Sequence, residues 1–130
     1  MAGFNDVHEI AAWQLAHKLS LRVDLFLYSP EFRRHYRFCQ QLGDAARSGP
    51  KHIAEGHARF THTEFAALVR VAREAEARVL DHLVEAHGQR LITADELAIN
   101  KRLAKRAMKA ASGLIRYLES TTERVTSGTG

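Results

Sequence analysis

Residues Gln41 to Gly56 read QLGDAARSGPKHIAEG. Leu42, Ala46, Gly49, Ile53 and Gly56, extended backwards by Cys39, recur alternately three and four residues apart. That spacing lays them along one stripe of an α-helix. Most of them are small, so a neighbouring backbone can approach closely. Pro50 lies inside the run, where a proline is costly and kinks the helix. The stretch therefore reads as a buried, proline-kinked helix with a narrow apolar seam.

Helical spacing extends outward in both directions, and strand-like alternation is missing. The pattern predicts four helices over about 7–28, 30–56, 62–87 and 94–122. Asp6, with Glu9 three residues on, is a plausible start for the first. Ser29-Pro30-Glu31 ends it and opens the second, with serine at the cap and proline in the first turn. Thr61-x-x-Glu64 and Thr93-x-x-Glu96 are capping boxes for the third and fourth. Gly88 stands where a C-cap is expected. The third helix carries Phe65, Leu68, Ala72, Ala75, Val79, Leu83 and Ala86 on one stripe, and the fourth carries Leu97, Ala104, Ala107, Ala111, Leu114 and Leu118. Short connections imply antiparallel neighbours, hence an all-α, antiparallel up-down-up-down four-helix bundle. One domain over residues 1–126 is expected, with a frayed tail over 127–130.

The composition suits such a domain. At 130 residues the chain can bury a core without a metal or disulfide staple. Cys39 is the only cysteine, which fits a reducing, cytoplasmic setting. No basic leader precedes a hydrophobic run, and no apolar stretch is long enough to span a bilayer, so no membrane partner is expected. The net charge of +4 favours acidic partners, nucleic acid among them.

The first helix is apolar on two sides. Trp13, Ala16, Leu19, Val23, Phe26 and Leu27 make one face, and Ile10, Leu21, Leu25 and Tyr28 make a second. Strips of Gln14, Lys18 and Arg22 and of His17, Ser20 and Asp24 separate them. A helix apolar on two sides is usually buried on two sides. The second face is therefore read as a subunit interface, against the alternative of scattered surface leucines.

A search for chemistry finds little. A di-iron bundle needs Glu-x-x-His pairs, and no glutamate here has histidine three residues later. His35 and Cys39 share a helix face but have no matching pair elsewhere. There is no phosphate-cradling glycine loop and no nucleophile elbow. No metal, cofactor or catalytic residue is expected, and the chain reads as a non-enzyme. Glu76 falls inside the apolar arc of the third helix, where a carboxylate should be paired or have a raised pKa. A structural hydrogen bond to a neighbouring helix or near the Pro50 kink is the plain reading, and a ligand or proton-transfer site is the sharper one. Glu55 is grouped with Glu76 and Pro50 as buried or structural.

The fourth helix has a basic face. Arg102, Lys105, Arg106, Lys109 and Arg116 fall within an arc of about 100°. No acidic residue lies between Lys101 and Arg116. The alternatives are a phosphate-contacting stripe and a solvated charged face. Arg47 and Lys51 add charge on the second helix, where Asp44 and Glu55 interrupt it.

The opening stretch resembles the helix-two pattern of the 23S rRNA intervening-sequence proteins, close to QLRRAAVSIPANIAEG. Gln41, Leu42, Ala45, Ala46, Ser48, Pro50, Ile53, Ala54, Glu55 and Gly56 are shared. The Trp13-x-x-Ala16-x-x-Leu19 opening and Glu64-Phe65 fit too. The pattern's paired arginines are Gly43 and Asp44 here, and its asparagine is His52. The resemblance implies a bundle that assembles as a homopentamer and has no enzymatic activity. It also implies kinship with the accessory variability determinants of diversity-generating retroelements, which bind a reverse transcriptase and nucleic acid. The combined expectation is a non-enzymatic oligomeric binding or scaffold protein contacting RNA, DNA or a ribonucleoprotein. The alternatives are a protein-interaction ring and, behind it, a metal-dependent or small-molecule enzyme.

Overall fold

Hydroxyl caps start three of the helices close to where the sequence places them. The computed structural model describes residues 6–129, with side chains as far as Thr121. In chain order it holds a 3₁₀ turn (Val7–Glu9), α1 (Ala11–Leu27), α2 (Pro30–Arg33), α3 (Tyr36–His57), α4 (His62–Gly88) and α5 (Ala94–Thr129). Ser29 Oγ accepts from the Phe32 amide at 3.3 Å, with Pro30 in the first turn of α2. Thr61 Oγ1 accepts from the Glu64 amide at 3.1 Å. At Thr93 the box is reciprocal: its hydroxyl accepts from the Glu96 amide at 3.1 Å, and Glu96 Oε1 accepts from the Thr93 amide at 2.8 Å. Each such cap satisfies a backbone donor that a helix start leaves free and contributes about 1 kcal/mol.

The fold is all-α with four main helices and, among the described residues, no strand. α1 packs on α3 and α5, and α4 packs on α3 and α5, so the four close into a bundle with α1 diagonal to α4. Two core layers fix their directions. One holds Leu19 and Val23 of α1, Phe38 and Leu42 of α3, Val79 and Leu83 of α4, and Leu103 of α5. The other holds Ala12 and Ala16, then Ile53, then Phe65 and Val69, then Leu114 and Leu118. Each layer takes the end of one helix and the start of the next, so sequence neighbours run antiparallel. Fully buried Leu42, Leu83 and Leu118 each contribute roughly 1.5–3 kcal/mol.

Between the layers the side chains are small. Gly49 sits at this waist, and a Cβ there would stand 3.3 Å from both the Ala16 Cβ and Glu76 Oε2. Gly56 has a similar role at the end of α3, where a Cβ would come within 2.6 Å of the Phe65 ring.

The structure departs from the expected helices in four places. The second helix is broken: α2 ends at Arg33 and α3 begins at Tyr36, with His35 at φ −102° and ψ 64°. Phe32 and Phe38 explain the break, because on an unbroken helix they would point about 120° apart. The break turns both inward, where their rings stack at 6.0 Å and Phe32 also stacks on Phe26 at 6.1 Å. Cys39 Sγ donates to the Phe32 carbonyl at 2.7 Å, satisfying an acceptor there. The first helix begins at Ala11, because Ile10 is extended at φ −81° and ψ 120° after the 3₁₀ turn. The C-terminal stop of α4 is made by Arg90, at φ 63°, rather than by Gly88. The Leu91 amide bonds back to the Ala86 carbonyl and the Arg90 amide to the His87 carbonyl, both at 2.9 Å. These are the two bonds of a Schellman motif. Finally, α5 is helical through Thr129, past the predicted end and into the expected 127–130 tail. No proline or glycine interrupts residues 114–127, and Gly130 lies outside the described residues.

Candidate nucleic-acid interface

Exposure separates the candidate residues sharply. Leu21, Leu25 and Tyr28 are open to solvent on α1, with Leu25 68% and Tyr28 73% exposed. Ile10 does not join them. It is 2% exposed and belongs to the core, because its extended backbone takes it off the helical wheel on which it was placed. Glu55 is likewise not buried. It is exposed on α3 and pairs with Arg59, one turn on, at 3.0 Å.

Arg102, Lys105, Arg106, Lys109 and Arg116 are all exposed on α5. None has a carboxylate within ion-pair distance among the described residues. Arg47 behaves differently, reaching Asp44 at 3.0 Å and Asp24 at 3.9 Å. Lys51 is exposed and shares a shallow depression with Asp44, Arg47, Ser48 and His52. Because α3 and α5 occupy opposite corners, Arg47 and Lys51 do not join the α5 row.

Two cations that the sequence reading left out do join it. Lys18 and Arg22 of α1 face Arg102 and Arg106 of α5 across the seam between the helices. Together with Ile99 and Leu103 they line a cleft of about 130 Å³. Each pair is spaced i, i+4, so each helix presents two like charges one turn apart. Such pairs destabilise a helix by a few tenths of a kcal/mol. Their spacing was visible in the sequence, but which neighbour α1 would turn them towards was not.

Glu76 is the opposite case. It is 1% exposed, and neither carboxylate oxygen has a hydrogen-bond partner. The structural hydrogen bond expected for it is therefore not found. Gly49 and Ala16 leave room for the side chain without offering a donor. Burial pushes its pKa up to about 8, against a smaller downward pull from Arg73. Arg73 is itself engaged, donating to Ser112 Oγ at 3.1 Å. His62 is also buried, with Nδ1 within 2.5 Å of Thr121 Oγ1, and desolvation lowers its pKa. Pro50 is half-buried in α3.

Among the described residues no group of three or more histidine, cysteine, aspartate or glutamate side chains is placed to hold a metal ion. No helix among them is long and apolar enough to cross a membrane.

The family model described as 23S rRNA-intervening sequence protein matches residues 8–113. The chain belongs to that family. No curated protein matches it. The family match runs from the 3₁₀ turn into the second half of α5. It therefore includes both sides of the cationic cleft and stops short of Arg116.

Proposed function

We propose that this chain is a non-enzymatic binding or scaffold protein that self-associates through α1 and contacts RNA, DNA or a ribonucleoprotein through α5. The observation that carries the reading is the row of Arg102, Lys105, Arg106 and Lys109, without an ion pair among the described residues and joined across the seam by Lys18 and Arg22. Cations gathered without carboxylates repel one another, and an approaching polyanion relieves that repulsion. Phosphate neutralisation gives affinity with little base specificity and a strong dependence on salt. Changing Lys105, Arg106 and Lys109 to glutamate should abolish retention of mixed-sequence RNA and DNA in a filter assay, with helical content preserved. Unchanged retention by the folded variant overturns the reading.

Leu21, Leu25 and Tyr28 support self-association, because large exposed apolar side chains in one row mark an interaction surface. The family resemblance makes a homopentamer in the cytoplasm the assembly to test. Light scattering should give a mass several times the 14.6 kDa of one chain, reduced by Leu21→Glu with Leu25→Glu. A monomer at micromolar concentration counts against it. A protein-interaction ring is the second reading, and the same row could dock an acidic protein. Failure of wild-type protein to retain nucleic acid at low salt selects that reading.

A further inference from the structure

The cleft between α1 and α5 combines three features. Its cations come from two helices, Lys18 and Arg22 on one wall and Arg102 and Arg106 on the other. Two apolar side chains, buried Leu103 and exposed Ile99, complete its lining. None of the four cations has a carboxylate within ion-pair distance among the described residues. Asp24 shares the neighbouring depression with Lys18, Arg22, Leu21 and Leu25, but its ion pair, at 3.9 Å, is to Arg47 of α3.

We propose that this cleft is a phosphate seat, in which Lys18, Arg22, Arg102 and Arg106 converge on a single phosphate group of a polyanion. The proposal deepens the nucleic-acid reading above by naming the place where the polymer is gripped. A volume of about 130 Å³ is small beside the roughly 300–1,000 Å³ of pockets that enclose a whole small molecule. It suits one charged group better than a nucleotide held entire. Three arginines, Arg22 on one wall and Arg102 and Arg106 on the other, offer planar donor forks that match phosphate oxygens, and Lys18 adds a mobile point charge. A lone row on α5 could only lie along a phosphate chain. Two facing walls hold a phosphate from both sides, and so fix where the polymer crosses the bundle.

The phosphate could belong to a nucleic-acid backbone or to a free polyphosphate, and the test separates these. Binding of pyrophosphate by calorimetry and of a labelled single-stranded RNA by anisotropy would be measured on the full chain. Wild type is compared with Lys18→Glu/Arg22→Glu, and with Arg37→Glu/Arg78→Glu, which makes the same charge change on α3 and α4. Circular dichroism checks that all three are folded. The seat predicts that the α1 variant loses about tenfold or more in affinity for both probes, while the distal variant stays close to wild type. Equal losses in both variants, or none in the α1 variant, overturn the seat. RNA binding that falls only when Lys105 and Lys109 are reversed also overturns it, yet leaves the nucleic-acid reading standing. Pyrophosphate binding without RNA binding supports the seat for a free polyphosphate and removes the nucleic-acid reading.

Discussion

The waist of the bundle and the α1–α5 seam both leave charge without a partner, and they resolve it in opposite ways. At the waist Glu76 is enclosed by small apolar neighbours, and the carboxylate gives up its charge by holding a proton. At the seam, four cations face water and one another, and none is in an ion pair among the described residues. The difference is one of solvation. Desolvating an ion costs several kcal/mol, whereas exposed like charges repel by only tenths. A chain can therefore keep outer cations for a partner at little cost to folding, but an inner carboxylate persists only by becoming neutral.

The largest expected effect lies at the waist. In the folded chain Glu76 holds its proton up to about pH 8, and unfolded it releases it near 4.5. Between those values the folded state binds one proton more, so rising pH costs about 1.4 kcal/mol of stability per pH unit from this group. The loss is complete above the folded pKa and amounts to roughly 5 kcal/mol across the window. Glu76→Gln should flatten that slope in urea unfolding between pH 5 and 8. Parallel wild-type and variant profiles break the comparison at its inner end.

Next comes the space beside that carboxylate. Gly49→Leu drives side-chain atoms into the contact where a Cβ would already stand 3.3 Å from Glu76. A loss of about 1–3 kcal/mol is expected, as for other overpacked sites. Full stability in that variant means the waist has slack that the geometry does not show. Arg90 supplies a smaller, outer effect of the opposite sign. Its left-handed backbone penalises a side chain, so Arg90→Gly should raise stability by about 1 kcal/mol or less. A fall in melting temperature shows that the Arg90 side chain supports the fold. Smallest of all, Lys105→Glu with Lys109→Glu should shift unfolding by about 0.5 kcal/mol or less, as exposed substitutions usually do.

The sequence carried the helices and their seams, because caps and 3.6-residue spacing are local features. Ser29, Thr61 and Thr93 cap where their motifs say, and the seams of α3, α4 and α5 are buried except at half-buried Cys39, Leu68 and Leu97. What it missed depended on distant contacts. The break at His35 serves an aromatic stack among Phe26, Phe32 and Phe38 that no helical wheel displays. Ile10 left its predicted face because one extended residue ended the wheel before it. Glu55 was grouped with the buried or structural residues, but it is exposed, and its partner Arg59 lies one turn away on the surface. The α5 row was legible because it lies within one helix. Lys18 and Arg22 were not, because their role depends on α5 being the neighbour they face.

The outer half of the comparison is tested most directly by the salt dependence of binding. The affinity of the wild-type chain for a labelled single-stranded RNA would be measured across a range of salt concentrations, beside Lys105→Glu/Arg106→Glu/Lys109→Glu. If exposed cations neutralise phosphates, the logarithm of affinity falls linearly with the logarithm of salt, by about 0.7 for each contact. The variant, if any binding remains, should show a slope shallower by about two. Affinity that ignores salt, or an unchanged slope in the folded variant, contradicts the account.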